Sequence, residues 1–125
     1  MILNLTQHVA TPEQVAQGVV DLPAELRAEL SRYLTVDDLP SEAEIAARCE
    51  AIAGLIYQTE ADNAPAAVMI GGAPWMMGPL VRALHTEGVV QCLAAFSSRV
   101  SVEHTDAAGA VTKTAIFKHI GFVPM

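Results

Sequence analysis

Apolar and polar residues recur on two periods along this chain, one near 3.6 and one suited to strands, and together they divide it into elements. "MILNLTQH" places Ile2, Leu3 and Leu5 before a polar stop, which predicts a short strand ending at Thr6, Gln7 and His8. "TPEQ" then predicts a helix start, with Thr11 as N-cap, Pro12 in the first helical position and Gln14 at the capping-box position; Gly18 marks its end. In "LPAELRAELSRYL" the stripe Leu26, Leu30, Tyr33 and Leu34 predicts an amphipathic helix. "SEAEIAARCEAIAGLIYQ" repeats the capping signature with Ser41 and Glu44 and sets Ile45, Cys49, Ile52 and Ile56 on one face; "ADNAP" reads as the loop out.

The second half changes period. "AAVMI" is a continuous apolar run, as expected of a strand buried on both faces, and it stops at Gly71, Gly72 and Ala73. Pro79 fits poorly inside a helix, so the next helix is expected to begin near Gly78 and Pro79 and to run to Gly88. "VVQCLAAF" predicts another buried strand, ending in Ser97, Ser98 and Arg99. "SRVSVEHT" and "VTKTAIFKH" flank "DAAG", which predicts a β-hairpin turning at Asp106 to Gly109.

This order of elements predicts an α/β fold, a small parallel sheet extended in antiparallel sense by the hairpin, and a single domain over residues 1–125. Ligands of such sheets bind beyond the carboxyl ends of the strands. Three segments are expected to meet there: Thr6-Gln7-His8, Gly71-Gly72-Ala73 and Ser97-Ser98-Arg99. Their convergence is the main functional signal in the pattern.

Composition narrows the partners. Hydrophobic residues make up 52% of the chain and charged ones 17%, which disfavours disorder. No apolar run approaches the ~20 residues of a membrane span, and the N-terminus lacks the basic start of a signal peptide. Cys49 and Cys92 have no metal-ligand spacing and are expected to be buried free thiols of a cytoplasmic protein. The formal charge is −7, from 14 acids and 7 bases, which argues against long nucleic acids. Residues 13 to 62 hold 11 of the 14 acids, while Arg82, Arg99, Lys113 and Lys118 lie in the second half; the charge leaves room for a small anionic nucleotide ligand, and the second half is where it would bind.

Each candidate has a structural alternative. Gly71 and Gly72 either present backbone N–H groups to a phosphate or make a tight turn. Arg99 suits a phosphate or carboxylate, or a salt bridge. His8 is a base, a donor or a loop cap. Ser97 and Ser98 lack a nucleophile-elbow context and read as hydrogen-bond donors or as strand ends. Trp75, Met76 and Met77 are expected in a core or, better, a subunit interface. His85 near a helix C-terminus has a dipole explanation, His104 is expected to be exposed, and His119 falls in the last strand. None of the four histidines has metal-motif spacing, so neither a metal nor another cofactor is expected.

The segment "VVQCLAAFSSRVSVEHTDAAGAVTKTAIFKHIGFVP" resembles the C-terminal region of small CRISPR-associated proteins of type III systems, through Ser97, Ser98, Arg99, Val102, Glu103, Lys113, Phe117, His119 and Phe122. The opening "LNLTQHVATPEQ" is similar to that group's first strand and helix start. The acidic charge and the "GGAPWMMGP" loop fall outside the likeness. It implies a small Rossmann-like three-layer domain related to CARF sensors, a homodimer, and a ring-nuclease-like activity on cyclic oligoadenylates without metal. It further implies a mechanism in which His8 is the base and Arg99, with the Gly71 and Gly72 amides, stabilises charge on phosphorus as a 2′,3′-cyclic phosphate forms. The alternative is a non-catalytic dimeric module that binds a nucleotide or a protein.

Overall fold

The structure is a computed structural model and describes residues 1–59 and 65–125. Most of the expected "ADNAP" loop lies outside those residues. The elements are β1 (Ile2–Asn4), α1 (Pro12–Ala16), β2 (Val19–Asp21), α2 (Ala24–Leu34), α3 (Glu42–Leu55) with a 3-10 turn (Ile56–Gln58), β3 (Ala67–Met69), α4 (Pro74–Thr86), β4 (Gln91–Thr105) and β5 (Val111–Pro124). They form one five-stranded sheet in the order β2-β1-β3-β4-β5. The first four strands are parallel and β5 is antiparallel to β4.

Side-chain alternation divides the sheet into two unequal faces. Leu3, Leu5, Val68, Ile70 and Cys92 point to one face and join Leu30, Ile52, Leu55, Met76, Leu80 and Leu84 from α2, α3 and α4 in a single core. The topology accounts for this: the chain moves one way from β1 to β2 and the other way from β2 through β3 to β4. Right-handed crossovers then put α1 on one face and α2 to α4 on the opposite one. The second face is thinly covered, because α1 has five residues and none is buried.

Local chemistry explains the helix ends. Thr11 Oγ1 accepts from the Gln14 amide at 3.2 Å and Gln14 Oε1 accepts from the Thr11 amide at 3.0 Å, a complete capping box. Ser41 Oγ accepts from the Glu44 amide at 3.1 Å to start α3. The expected start of α4 is corrected: the helix begins at Pro74, and Pro79 sits inside it. Pro74 is the residue that opens the first turn, where its missing N–H costs nothing. The hydrogen bond removed at Pro79 would have gone to the carbonyl of Trp75, a residue still 46% exposed. Burial of Met76, Met77, Leu80 and Leu84 on the other side holds the helix through the defect. Trp75 is therefore outside the core, while Met76 and Met77 are within it.

Two further expectations change. The short strand β2, within "GVVDLP", does not stand out in the hydrophobic pattern, yet it pairs with β1 over its whole length. The strand expected to end at Ser97-Ser98-Arg99 continues to Thr105. Past Leu93 it leaves β3 behind and pairs only with β5, which supplies the ladder bonds that keep it extended. The result is a two-stranded arm running about 30 Å beyond the body at roughly 3.3 Å per residue. Asp106 closes its tip by accepting from the amides of Ala108 and Ala110, both at 2.9 Å. At its root Ser97 faces His119 and Phe96 faces Gly121, so Ile120 is a bulged residue without a partner across the ladder.

Candidate functional site

A cleft of about 540 Å³ opens at the carboxyl ends of β1 and β3. Those neighbouring strands lead to helices on opposite faces, so the cleft sits where the connection direction reverses. Its walls are the segment after β1 (Thr6 to Val9), the Gly71-Gly72 turn after β3, Ala94 and Ala95 of β4, and Thr11 and Gln14 at the start of α1; Met69 and Ile70 complete the lining.

The β1 wall is organised by Asn4, a buried residue at the end of the strand. Its Nδ2 donates to the carbonyl of His8 and to Asp21 Oδ1, both at 2.8 Å. Its Oδ1 accepts from the Thr6 amide at 2.9 Å and from Thr6 Oγ1 at 2.7 Å. Asp21, at the end of β2, also accepts from the Ala10 amide at 3.0 Å. One side chain thus uses all its hydrogen-bonding capacity to bend residues 4 to 8 into a fixed loop and tie it to the neighbouring strand. The pattern "ILNLT" carries a signal for this loop: a polar residue in the middle of an apolar strand. Gln7 Nε2 reaches further and donates to Thr35 Oγ1 at 3.1 Å, which anchors the end of α2 at the mouth of the cleft.

The opposite wall depends on two glycines with different requirements. A Cβ on Gly71 would lie 3.8 Å from Thr6 Cγ2, an ordinary contact, so at this position the absent side chain mainly keeps the cleft open. Gly72 has φ +154°, a conformation in which other residues are strained. It lets the chain turn from β3 into α4, whose N-cap residue, Ala73, offers no side-chain cap. The first-turn amides of α4 are therefore not covered by a capping side chain next to the cleft.

Of the residues expected at the site, Thr6, Gln7, His8, Gly71 and Gly72 line the cleft. Ala73 lies beside it as the N-cap residue. Ser97, Ser98 and Arg99 are not in the lining; they stand on the arm, where Arg99 is exposed opposite Phe117. Among the described residues no charged side chain lines the cleft, and His8 is the one titratable group there. What this lining can do is enclose an uncharged, partly apolar group and offer Thr, Gln, His and backbone hydrogen bonds around it. Among the described residues no three His, Cys, Asp or Glu side chains gather as a metal-ligand set. Cys49 and Cys92 are buried free thiols, both pushed up in pKa by burial, with Arg82 partly opposing this at Cys49.

Among the described residues no helix is long and apolar enough to cross a membrane. Neither the curated proteins nor the solved structures provide a match to this chain. A family model does match, over residues 1–123, and it spans both the Asn4-organised loop and the arm: the chain belongs to the Uncharacterized protein MJ1673 family.

Proposed function

We propose that the cleft binds a small nucleotide, with cyclic oligoadenylate as the ligand class suggested by the resemblance of the arm segment to ring-nuclease-like proteins. The supporting observation is the position of the cleft at the reversal point between β1 and β3, walled by Thr6 to His8 and Gly71-Gly72. An apolar, uncharged lining suits a base, and the first-turn amides of α4 with the glycine turn suit a phosphate at its edge. The volume falls in the range of small-molecule sites, about 300–1,000 Å³.

Binding is better supported than cleavage. General acid–base chemistry needs its groups within hydrogen-bond reach of the reacting atoms. Among the described residues of one chain the cleft gathers His8 alone, and Arg99 stands on the arm. The second reading, a non-catalytic nucleotide-binding module, follows from that observation. The test is thermal stability with and without cyclic tetra-adenylate, followed by product analysis of the same sample. A ligand specific for the native state raises the melting temperature. The expected result is a rise in the native protein that disappears in Gly71→Ala, whose added methyl enters the cleft. Product in the native sample selects cleavage, and its absence selects the binding module. No rise at saturating ligand overturns the nucleotide reading.

A further inference from the structure

The arm carries charge and apolar surface that its own body leaves uncovered. Arg99 and Phe117 are directly opposite in the ladder and so share one face of the ribbon, and Phe117 is 77% exposed. Arg99 belongs to none of the three ion pairs among the described residues. Residues 94–125 contain three bases and two acids, whereas residues 1–93 contain four bases and twelve acids.

A complementary surface lies beside the cleft. The segment "TVDDLPS" between α2 and α3 presents exposed Asp37 and Asp38, and Leu39 is 98% exposed. Neither aspartate is in an ion pair among the described residues. The segment is held in place from α3: the Arg48 guanidinium donates to the carbonyls of Arg32, Tyr33 and Thr35 at 3.0, 3.0 and 3.1 Å. Thr35 also receives the hydrogen bond from Gln7, which fixes this acidic knob at the cleft mouth.

We propose that these surfaces meet between two copies of this chain, the arm of each docking on the 35–41 segment of the other. Arg99 pairs with Asp37 and Asp38, and Phe117 covers Leu39. Each surface then gains what it lacks alone: a counter-ion for its charge and cover for a large apolar side chain. Two-fold symmetry makes the contact reciprocal and leaves both copies satisfied. It also explains a two-stranded arm, an element of marginal stability when solvated on both faces. One consequence rests on the nucleotide reading above: docking sets Arg99 at the mouth of the partner copy's cleft, where it supplies the cation that the lining of one chain does not.

The test is sedimentation equilibrium of the full chain without ligand, at low and high salt. The expected result is a dimer weakened by salt, with its Kd raised about tenfold or more by Arg99→Asp and by the paired change Asp37→Arg with Asp38→Arg. Combining the three substitutions restores most of the lost affinity, and Phe117→Ser weakens the dimer as well. These positions are exposed, so a native far-ultraviolet circular dichroism spectrum and a cooperative thermal transition verify that each variant folds, with any fall in melting temperature confined to what loss of the dimer brings. A monomer at concentrations up to about 100 μM, a dimer indifferent to every variant, or a combined variant no tighter than the singles overturns the proposal. Cyclic tetra-adenylate separates the two claims: a ligand response from a monomer defeats the docking alone, and a dimer without a response defeats the nucleotide reading alone.

Discussion

The body and the arm use the same kind of strand for different ends. In the body, three-residue strands are enough, because helices α2, α3 and α4 close over them and bury Leu5, Ile52, Val68, Leu80 and Leu84 almost completely. In the arm, strands several times longer bury little: Phe96, Val111, Ile116 and Phe117 all remain substantially exposed. Strand length in this protein therefore reports hydrogen-bond continuity and not burial. Stability resides in the short strands, and reach resides in the long ones.

The sharpest way to break this contrast is to truncate one large side chain in each region. Ile52→Ala removes a fully buried side chain and is expected to cost about 2–5 kcal/mol in denaturant unfolding. Phe117→Ala on the monomer is expected to cost less than about 0.5 kcal/mol. Equal losses would mean that the arm packs into the core. Asn4→Ala comes next, at about 2–4 kcal/mol, because it leaves the partners Asp21, Thr6 and the His8 carbonyl without their shared bonds. A change under about 0.5 kcal/mol would show that the loop is held without the network. Smaller again is the glycine pair: Gly72→Ala is expected to destabilise by about 1–3 kcal/mol through backbone strain, and Gly71→Ala by much less. Reversed values would transfer the special backbone from Gly72 to Gly71.

The smallest effect is a titration confined to the body, which holds both cysteines. Burial raises the pKa of Cys49 and Cys92 above the ordinary 9.0. An acid whose folded pKa is raised contributes stability that is complete below its unfolded pKa and is lost as pH rises through the folded value. Unfolding free energy should accordingly decline above about pH 9, and the double variant Cys49→Ala with Cys92→Ala should flatten that decline. A decline of the same size in the double variant would assign it to other groups.

Much of this arrangement was legible in the chain. Thr11 and Gln14 announced α1, Ser41 and Glu44 announced α3, and "DAAG" announced the tip of the arm, because capping and turn chemistry is local. The position of Thr6, Gln7, His8, Gly71 and Gly72 at strand ends, where the cleft opens, was legible because strand ends follow from hydrophobic runs. The misses were non-local. β2 is too short to show a period and exists because β1 offers it an edge. Pro79 looked like a helix start until the burial of its neighbours outweighed it. The length of β4 depends on β5, where Ser97 and Ser98 find His119 and Lys118 as partners across the ladder, so serines that normally punctuate a strand did not end it.

Gln17 joins the two regions. At the end of α1 its Nε2 donates to the carbonyl of Ile120 at 3.2 Å, and its Oε1 accepts from His119 Nε2 at 2.8 Å, both at the root of the arm. The same helix begins with Thr11 and Gln14 in the cleft wall. Since α1 buries no residue, its order rests on its cap at one end and on this clasp at the other. The arm is thereby a lever and α1 its pivot, so a load on the ribbon registers as amide hydrogen exchange in residues 15 to 17 before any strand of the body opens.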